Sequence, residues 1–230
     1  MSEIFEGIKF PPMFMSGAKI VAVFLVLIFL HIILRVIFTK KRDLQGKSKV
    51  YLYPKSIRIW HWTNVVIFLV LLISGFAWWL KIIQERQTFN MIHISFGVLF
   101  VFGWTFLVAY NACGNYSNYK VTKSTFKDAY IQIKYYLCGI FKGENSPHTP
   151  TKDNKFNALQ KISYFFMVYF LVPMLIITGM LCDVPQIRPI MFKAHVYFCV
   201  FASVLFIIMH IYMVLSSKKL KAMIDGHIRD

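Results

Sequence analysis

The stretch HVYFCVFASVLFIIMH, residues 195–210, begins and ends with histidine, and between the two rings only Ser203 and the Tyr197 hydroxyl break an apolar run. Extended to Met191–Leu215, the run is long enough to cross a bilayer as a helix, which takes about 20 mostly apolar residues. Fifteen residues at about 1.5 Å rise separate the two imidazoles by roughly 22 Å, and fifteen steps of about 100° leave a residual of about 60°. Both rings therefore fall on one broad face, one near each membrane surface. Ionisable side chains in a span are costly and turn toward the bundle interior and a partner. The pattern reads as ligands to two centres stacked across the membrane.

Four further blocks match the first in length: Gly17–Phe38, Ile59–Leu80, Met91–Cys113 and Ala158–Cys182. The chain is 57% hydrophobic with 23 Phe, and its mean hydropathy is +0.56. A soluble domain of this size carries more charge and fewer apolar residues. The expected fold is all-α and polytopic, with five transmembrane helices. The first block is too long for a signal-peptide core, lacks a small-x-small cleavage site and is followed rather than preceded by its basic cluster.

The net charge of +16 is explained by its distribution. Residues 39–58 hold seven Lys/Arg, residues 114–157 seven more, and the tail after Leu215 four; the N-terminal segment, 81–90 and 183–190 together hold four. Basic loops stay in the cytoplasm. Five spans and this alternation agree on an N-terminus outside and a C-terminus inside, which removes nucleic acid as the partner implied by the charge. Cys113, Cys138, Cys182 and Cys199 form no C-x-x-C or C-x-x-C-H, so neither an iron–sulfur cluster nor covalently attached haem is encoded.

No soluble domain is visible. Within the longest connection, STFKDAYIQIKYYLCGIFKG (124–143) has Phe126, Tyr130, Ile133, Leu137 and Ile140 at helical spacing, and Thr125 with Asp128 fits a capping box. It reads as an amphipathic helix on the inner membrane surface, or as a plain connector helix. The outer links, 81–90 and 183–190, are short, so catalytic machinery must come from another chain.

His148 and His227 lie in polar segments, while His31, His61, His93, His195 and His210 lie in or at the ends of spans. The topology pairs four of these by depth. His93 opens the third span on the outer side, level with His195. His61 enters the second span from the inner side, level with His210. Bis-histidine ligation across a bundle holds b-type haem without a covalent link. Gly97 lies one turn after His93, and Gly75 lies fourteen residues after His61, so both can make room for a flat plate. The alternative for Gly75, Gly97, Gly103 and Gly179 is plain helix–helix contact. For any one histidine the alternative is an interhelical hydrogen bond. His31 has no partner at its depth and reads as structural. Zinc is disfavoured, because carboxylates and thiolates are scarce near these rings.

The motifs around these residues resemble the cytochrome b (gamma) subunit of respiratory formate dehydrogenases, within the di-haem cytochrome b family that also serves hydrogenases and thiosulfate reductases. HWTNVVIFLVLLISG (61–75) is similar to that family's HW…SG helix and HISFG (93–97) to its H-x-x-x-G. FKGENSPHTPTKDNKFNALQK (141–161) resembles its loop ending in KYNAGQK, and HIYM with KAMIDG (210–226) its last helix and tail. The resemblance runs from about Ile57 to the C-terminus. It makes residues 59–230 a four-helix di-haem domain and residues 1–58 an extra N-terminal helix with a basic loop.

The resemblance implies two b-type haems, one on His93 and His195 and one on His61 and His210. It also implies a quinone (menaquinone or ubiquinone) near Asn157, Gln160 and His210. Asn157 equally suits a helix cap. Arg58 is expected either at an inner haem propionate or as a basic membrane anchor, and Arg188 and Lys193 at a partner, at propionates or as snorkelling anchors. The implied partners are an iron–sulfur subunit and a catalytic subunit on the periplasmic side of a bacterial inner membrane. Electrons would pass inward to quinone, and the chain would be a carrier rather than the substrate-oxidising subunit.

Three departures stand out. Leu159 replaces the family's glycine after Asn-Ala, and the first span, with Lys19, His31 and Arg35, is additional. The gap from His195 to His210 is one residue longer than usual, so a helix irregularity that re-aims one ring is expected. Two other classes compete. A proton-pathway transporter predicts Asp or Glu well inside spans two to five, and none is there. A cofactor-free anchor leaves four buried histidines without use.

Overall fold

The computed structural model describes residues 23, 26–34, 37, 49–79, 85–206, 210 and 221–229 of the 230. Residues 26–34 of the first expected span are helical. Most of the rest of that span, with Lys19 and Arg35, lies outside the described residues, as do residues 39–48 and 211–215.

The chain is mostly helical. Helix α1 runs Lys55–Trp79, opened by the Pro54 carbonyl, which accepts the first helical bond from the Arg58 N–H. Helix α2 runs Arg86–Tyr110 and is stopped by Gly114, whose φ of 120° lies in a region only glycine enters without strain. Helix α3 spans Lys123–Lys134. It begins one turn earlier than the Thr125–Asp128 box implied: Thr122 is the cap, and its N–H donates to the Thr125 hydroxyl at 3.0 Å. Thr122 precedes the amphipathic run and leaves Thr125 free to close the box. Helix α4 covers Ala158–Leu181, α5 covers Arg188–Phe206 and a single turn, α6, covers Ala222–Asp225.

Among the described residues, three helices are long and apolar enough to cross a membrane: Lys55–Trp79, Gln87–Tyr119 and Ala158–Leu181. Their polarity is inverted relative to a water-soluble bundle. Ile73, Phe102 and Met180 are more than 60% exposed, while Ser74, Asn111, Thr178 and Ser203 are buried. An apolar exterior with small polar residues inside is the arrangement hydrocarbon solvent favours, and it makes this an integral membrane protein.

Helix α1 packs along α2, and α4 along α5. Gly103 permits the first approach: a Cβ there would meet the Asn64 amide, and the Gly103 carbonyl accepts from Trp60 Nε1 at 2.7 Å. Helices α2 and α4 meet at a π turn, Met167–Leu171. The Val172 N–H bonds the Met167 carbonyl one residue further back than in an α-helix, which frees the Val168 carbonyl. Trp104 Nε1 donates to that carbonyl at 2.8 Å. Pro173, which has no N–H, follows directly and removes the next bond of the ladder.

The end of the bundle at the entrance of α1 is closed by a device the sequence did not announce. Strand β1 (Lys49–Tyr51) pairs antiparallel with β2 (His227–Arg229), so the C-terminal tail lies against the entrance of α1. Gly226, with a φ of 86°, turns the chain out of α6, and its carbonyl accepts from the Leu52 and Tyr53 N–H groups at 2.9 and 3.2 Å. Leu52, Tyr53, Phe156 and Ala222 form the buried cluster beneath, with Tyr119 and Tyr164 packed on it. Burial pushes the Tyr53 hydroxyl up to about 12. On α3, Thr125, Ala129 and Gln132 are buried, while Phe126, Tyr130 and Ile133 stay exposed, as does Leu137 in the π turn Tyr135–Gly139 that follows. That apolar face is covered by no protein among the described residues.

Candidate functional site

Two pairs of imidazoles lie inside the bundle. At the end expected to face outward, the outer pair, His93 of α2 and His195 of α5, face each other with ring centroids 6.3 Å apart and planes at 87°. At the opposite end, the inner pair, His61 of α1 and His210, stand 6.0 Å apart at 77°. These are the couples expected from matched depths along the helices. His31 belongs to neither; it is half-buried and meets Phe141 edge-on at 5.3 Å.

The outer pair is held with a repeated pattern. Ser74 and Gly75 on α1 face His93, and Thr178 and Gly179 on α4 face His195. A Cβ built on Gly75 would lie 3.0 Å from His93 Cε1, and one on Gly179 would lie 3.1 Å from His195 Cε1. Only glycine lets each ring press this closely on the neighbouring helix. Ser74 Oγ lies 2.9 Å from His93 Nδ1, and Thr178 Oγ1 lies 3.2 Å from His195 Nδ1. The Leu175 carbonyl lies 3.0 Å from His195 Nδ1, and the Leu71 carbonyl also bonds His93. A carbonyl can only accept, so the His195 Nδ1 carries the proton and its Nε2 keeps its lone pair.

The inner pair is framed by aromatic rings. His61 stacks on Trp62 with centroids 5.2 Å apart, and His210 stacks on Phe206 at 4.7 Å. Trp62 Nε1 in turn donates to the Met223 carbonyl at 3.0 Å, which ties the frame to the tail. His210 itself has π-helical geometry, and the residues on either side of it lie outside the described ones.

The pairs fit a porphyrin iron. A bond of about 2 Å from metal to each imidazole nitrogen, with about 1 Å from nitrogen to ring centre, sets the centroids of a trans pair about 6 Å apart. A structural zinc ion takes four protein ligands, and among the described residues no third His, Cys, Asp or Glu joins either pair. Gly97, one turn below His93, has nothing within 4 Å of where its Cβ would be. Gly103 is a close helix contact instead.

The remaining expected residues are engaged locally. Asn157 caps α4: its side-chain oxygen accepts from the Gln160 N–H at 2.9 Å, and the Asn157 N–H donates to Gln160 Oε1 at 3.1 Å. Its Nδ2 donates to the Tyr136 hydroxyl at 3.2 Å, and both Asn157 and Gln160 are buried. The cap reading of Asn157 is thereby realised. Arg58 donates from a guanidinium nitrogen to the Ile224 carbonyl of the tail. Arg188 Nε donates to the Cys182 carbonyl at 2.8 Å, closing the end of α4, and Lys193 is exposed. Reasoning from the sequence missed Ser74, Thr178, Trp62 and Trp104. For the first two a signal existed: each is a hydroxyl residue directly before a glycine in an otherwise apolar span.

Residues 52–226 match the family model described as prokaryotic cytochrome b561. The chain is also 33% identical over 230 aligned residues to the protein "Putative cytochrome YdhU" of Escherichia coli (strain K12), covering 93% of this chain and 87% of that one. With four inward imidazoles in an apolar helical bundle, these similarities agree on one conclusion: the chain belongs to the prokaryotic cytochrome b561 family, membrane electron-transfer proteins that bind b-type haem.

Proposed function

We propose that the protein binds two b-type haems and conducts electrons between a periplasmic dehydrogenase and the quinone pool. In this reading it spans a bacterial inner membrane five times, N-terminus periplasmic and C-terminus cytoplasmic. Residues 59–230 carry the haems, and residues 1–58 add a helix and basic loop. The observation that carries the reading is the pair of facing imidazole couples, at 6.3 and 6.0 Å between centroids.

His93 and His195 hold the outer iron, and His61 and His210 the inner one. When bound, two such groups supply one-electron relays at two depths, so an electron entering from the outer side leaves on the inner side to menaquinone or ubiquinone. Gly75 and Gly97 keep side chains out of the outer cavity. Arg58 places positive charge at the inner end, where it also ties the tail. Asn157, Gln160 and His210 would line the quinone side, where the Asn157 amide would supply a hydrogen-bond donor. The exposed apolar face of α3 lies in the inner leaflet.

Electrons arrive from an iron–sulfur subunit docked on the short outer loops and fed by a catalytic subunit, for which formate oxidation is favoured by the KFNALQK and KAMIDG motifs. A hydrogenase or sulfur-compound reductase is the second reading, supported by the breadth of the same resemblance. Haem quantification and a reduced-minus-oxidised spectrum of the purified chain test the core. Two haems per chain are expected; none, or one, refutes the two-centre reading. Co-purification with native partners identifies the donor.

A further inference from the structure

Ser74 and Thr178 repeat one arrangement on two helices that are not neighbours in sequence. Each lies directly before the glycine on which a histidine ring presses, and each is almost fully buried, at 2% and 3% exposure. Each hydroxyl also bonds its own helix: Ser74 Oγ lies 2.6 Å from the Val70 carbonyl, and Thr178 Oγ1 lies 2.6 Å from the Met174 carbonyl. A hydroxyl owns one proton, and the carbonyl four residues back takes it. Toward the imidazole the same oxygen therefore accepts. The Nδ1–H of His93 donates to Ser74 at 2.9 Å, and that of His195 is shared between the Leu175 carbonyl at 3.0 Å and Thr178 at 3.2 Å.

A hydroxyl in a membrane helix is already satisfied by its own backbone, so bonding to a second partner needs a further cause. The geometry supplies one. With Nδ1–H anchored on the neighbouring helix, the Nε2 lone pair of each ring is the one left for a metal. Acceptors behind a ligating histidine fix its tautomer and orientation and raise its basicity. A more basic pair of axial ligands stabilises the more highly charged ferric iron and lowers its reduction potential.

We propose that Ser74 and Thr178 are paired positioning residues for the outer haem, Ser74 orienting the Nδ1–H of His93 and Thr178, beside the Leu175 carbonyl, that of His195, and that together they hold that haem at a lower potential than the same ligands give without them. The proposal rests on the two-haem reading above.

The test compares the full-length wild-type chain with S74A, T178V and the double variant, and with the hydroxyl-retaining S74T and T178S. The readouts are haem per chain, redox titration of each haem and the low-spin ferric resonance. Removing one hydroxyl is expected to raise the outer potential and to weaken outer haem binding about 10- to 100-fold. The double variant is expected to shift further, and the inner haem to stay unchanged. S74T and T178S are expected to behave as wild type. Loss of the outer haem in S74A but not S74T supports the proposal. Loss in both means that shape rather than the hydroxyl matters, and overturns it, as does an unshifted outer haem in the double variant. A wild-type chain without two haems overturns the underlying reading, before any variant is compared.

Discussion

Gly75→Ala is the smallest perturbation that reaches the outer site. Its new methyl would lie 3.0 Å from His93 Cε1 and 3.5 Å from Nδ1. Carbon atoms in relaxed contact stand about 3.5–4.0 Å apart, so the ring must retreat by roughly 0.5–1 Å. It cannot retreat freely. Ser74, on the same helix, holds its Nδ1 at 2.9 Å, and His195 stands 6.3 Å away between centroids. Such overpacking costs about 1–3 kcal/mol. The helix itself gains up to about 1 kcal/mol from alanine over glycine. The fold is therefore nearly unaffected, and the strain falls on the ring that must meet iron. At about 1.4 kcal/mol per tenfold, outer-site affinity drops about 10- to 100-fold. Membrane levels of the variant should stay near wild type while haem per chain falls from two toward one, with the inner spectrum intact. Gly179→Ala should act in the same direction through His195, where the approach is 3.1 Å. Haem assay against protein, with thermal melting in detergent, measures both quantities. A Gly75→Ala protein with two haems and an unaltered outer spectrum would refute the reasoning.

Other outcomes follow from the same geometry. His93→Ala should remove the outer haem and spare the inner one; retention of both in the visible spectrum overturns the pairing. Gly226→Ala should loosen the tail, because its φ of 86° disfavours a side chain and the new Cβ would lie 2.9 Å from the Tyr53 carbonyl; a cost of about 1–3 kcal/mol would show as faster proteolysis beyond Lys221. Tyr53 should make the protein alkali-sensitive. Its hydroxyl moves from an ordinary value of 10.0 to about 12, so the folded state keeps a proton the unfolded state loses, and stability falls as pH rises between those values. Tyr53→Phe should melt with a smaller loss than wild type across that window, and equal losses would exclude burial of Tyr53 as the cause.

Much of the architecture was legible because membranes simplify the code. Apolar blocks near 20 residues announce helices whatever packs beside them. A fixed rise per residue converts the positions of His61, His93, His195 and His210 into depths, and the rings of each couple meet. What was not legible has physical reasons. The pairing of Lys49–Tyr51 with His227–Arg229 joins segments far apart in sequence through three residues each, too few for any periodicity. The π turn at Met167–Leu171 arises from the backbone ladder before Pro173, and the freed carbonyl matters only because Trp104 happens to reach it. Ser74 and Thr178 look like ordinary small residues of membrane helices until their hydroxyls are seen against imidazole nitrogens. Asn157 carries two readings at once: the motif implies a quinone contact, and the local backbone uses the same side chain as a cap.

The strap between the tail and α1 has a consequence for biogenesis. A ribosome delivers His61 long before His210, and Trp62, stacked on His61, is fastened to Met223, later still. The His61/His210 couple and its frame are thus complete only once Met223 has been made, whereas the His93/His195 couple needs nothing beyond the first half of α5. A chain cut short before Met223 would enter the membrane without the tie on Trp62.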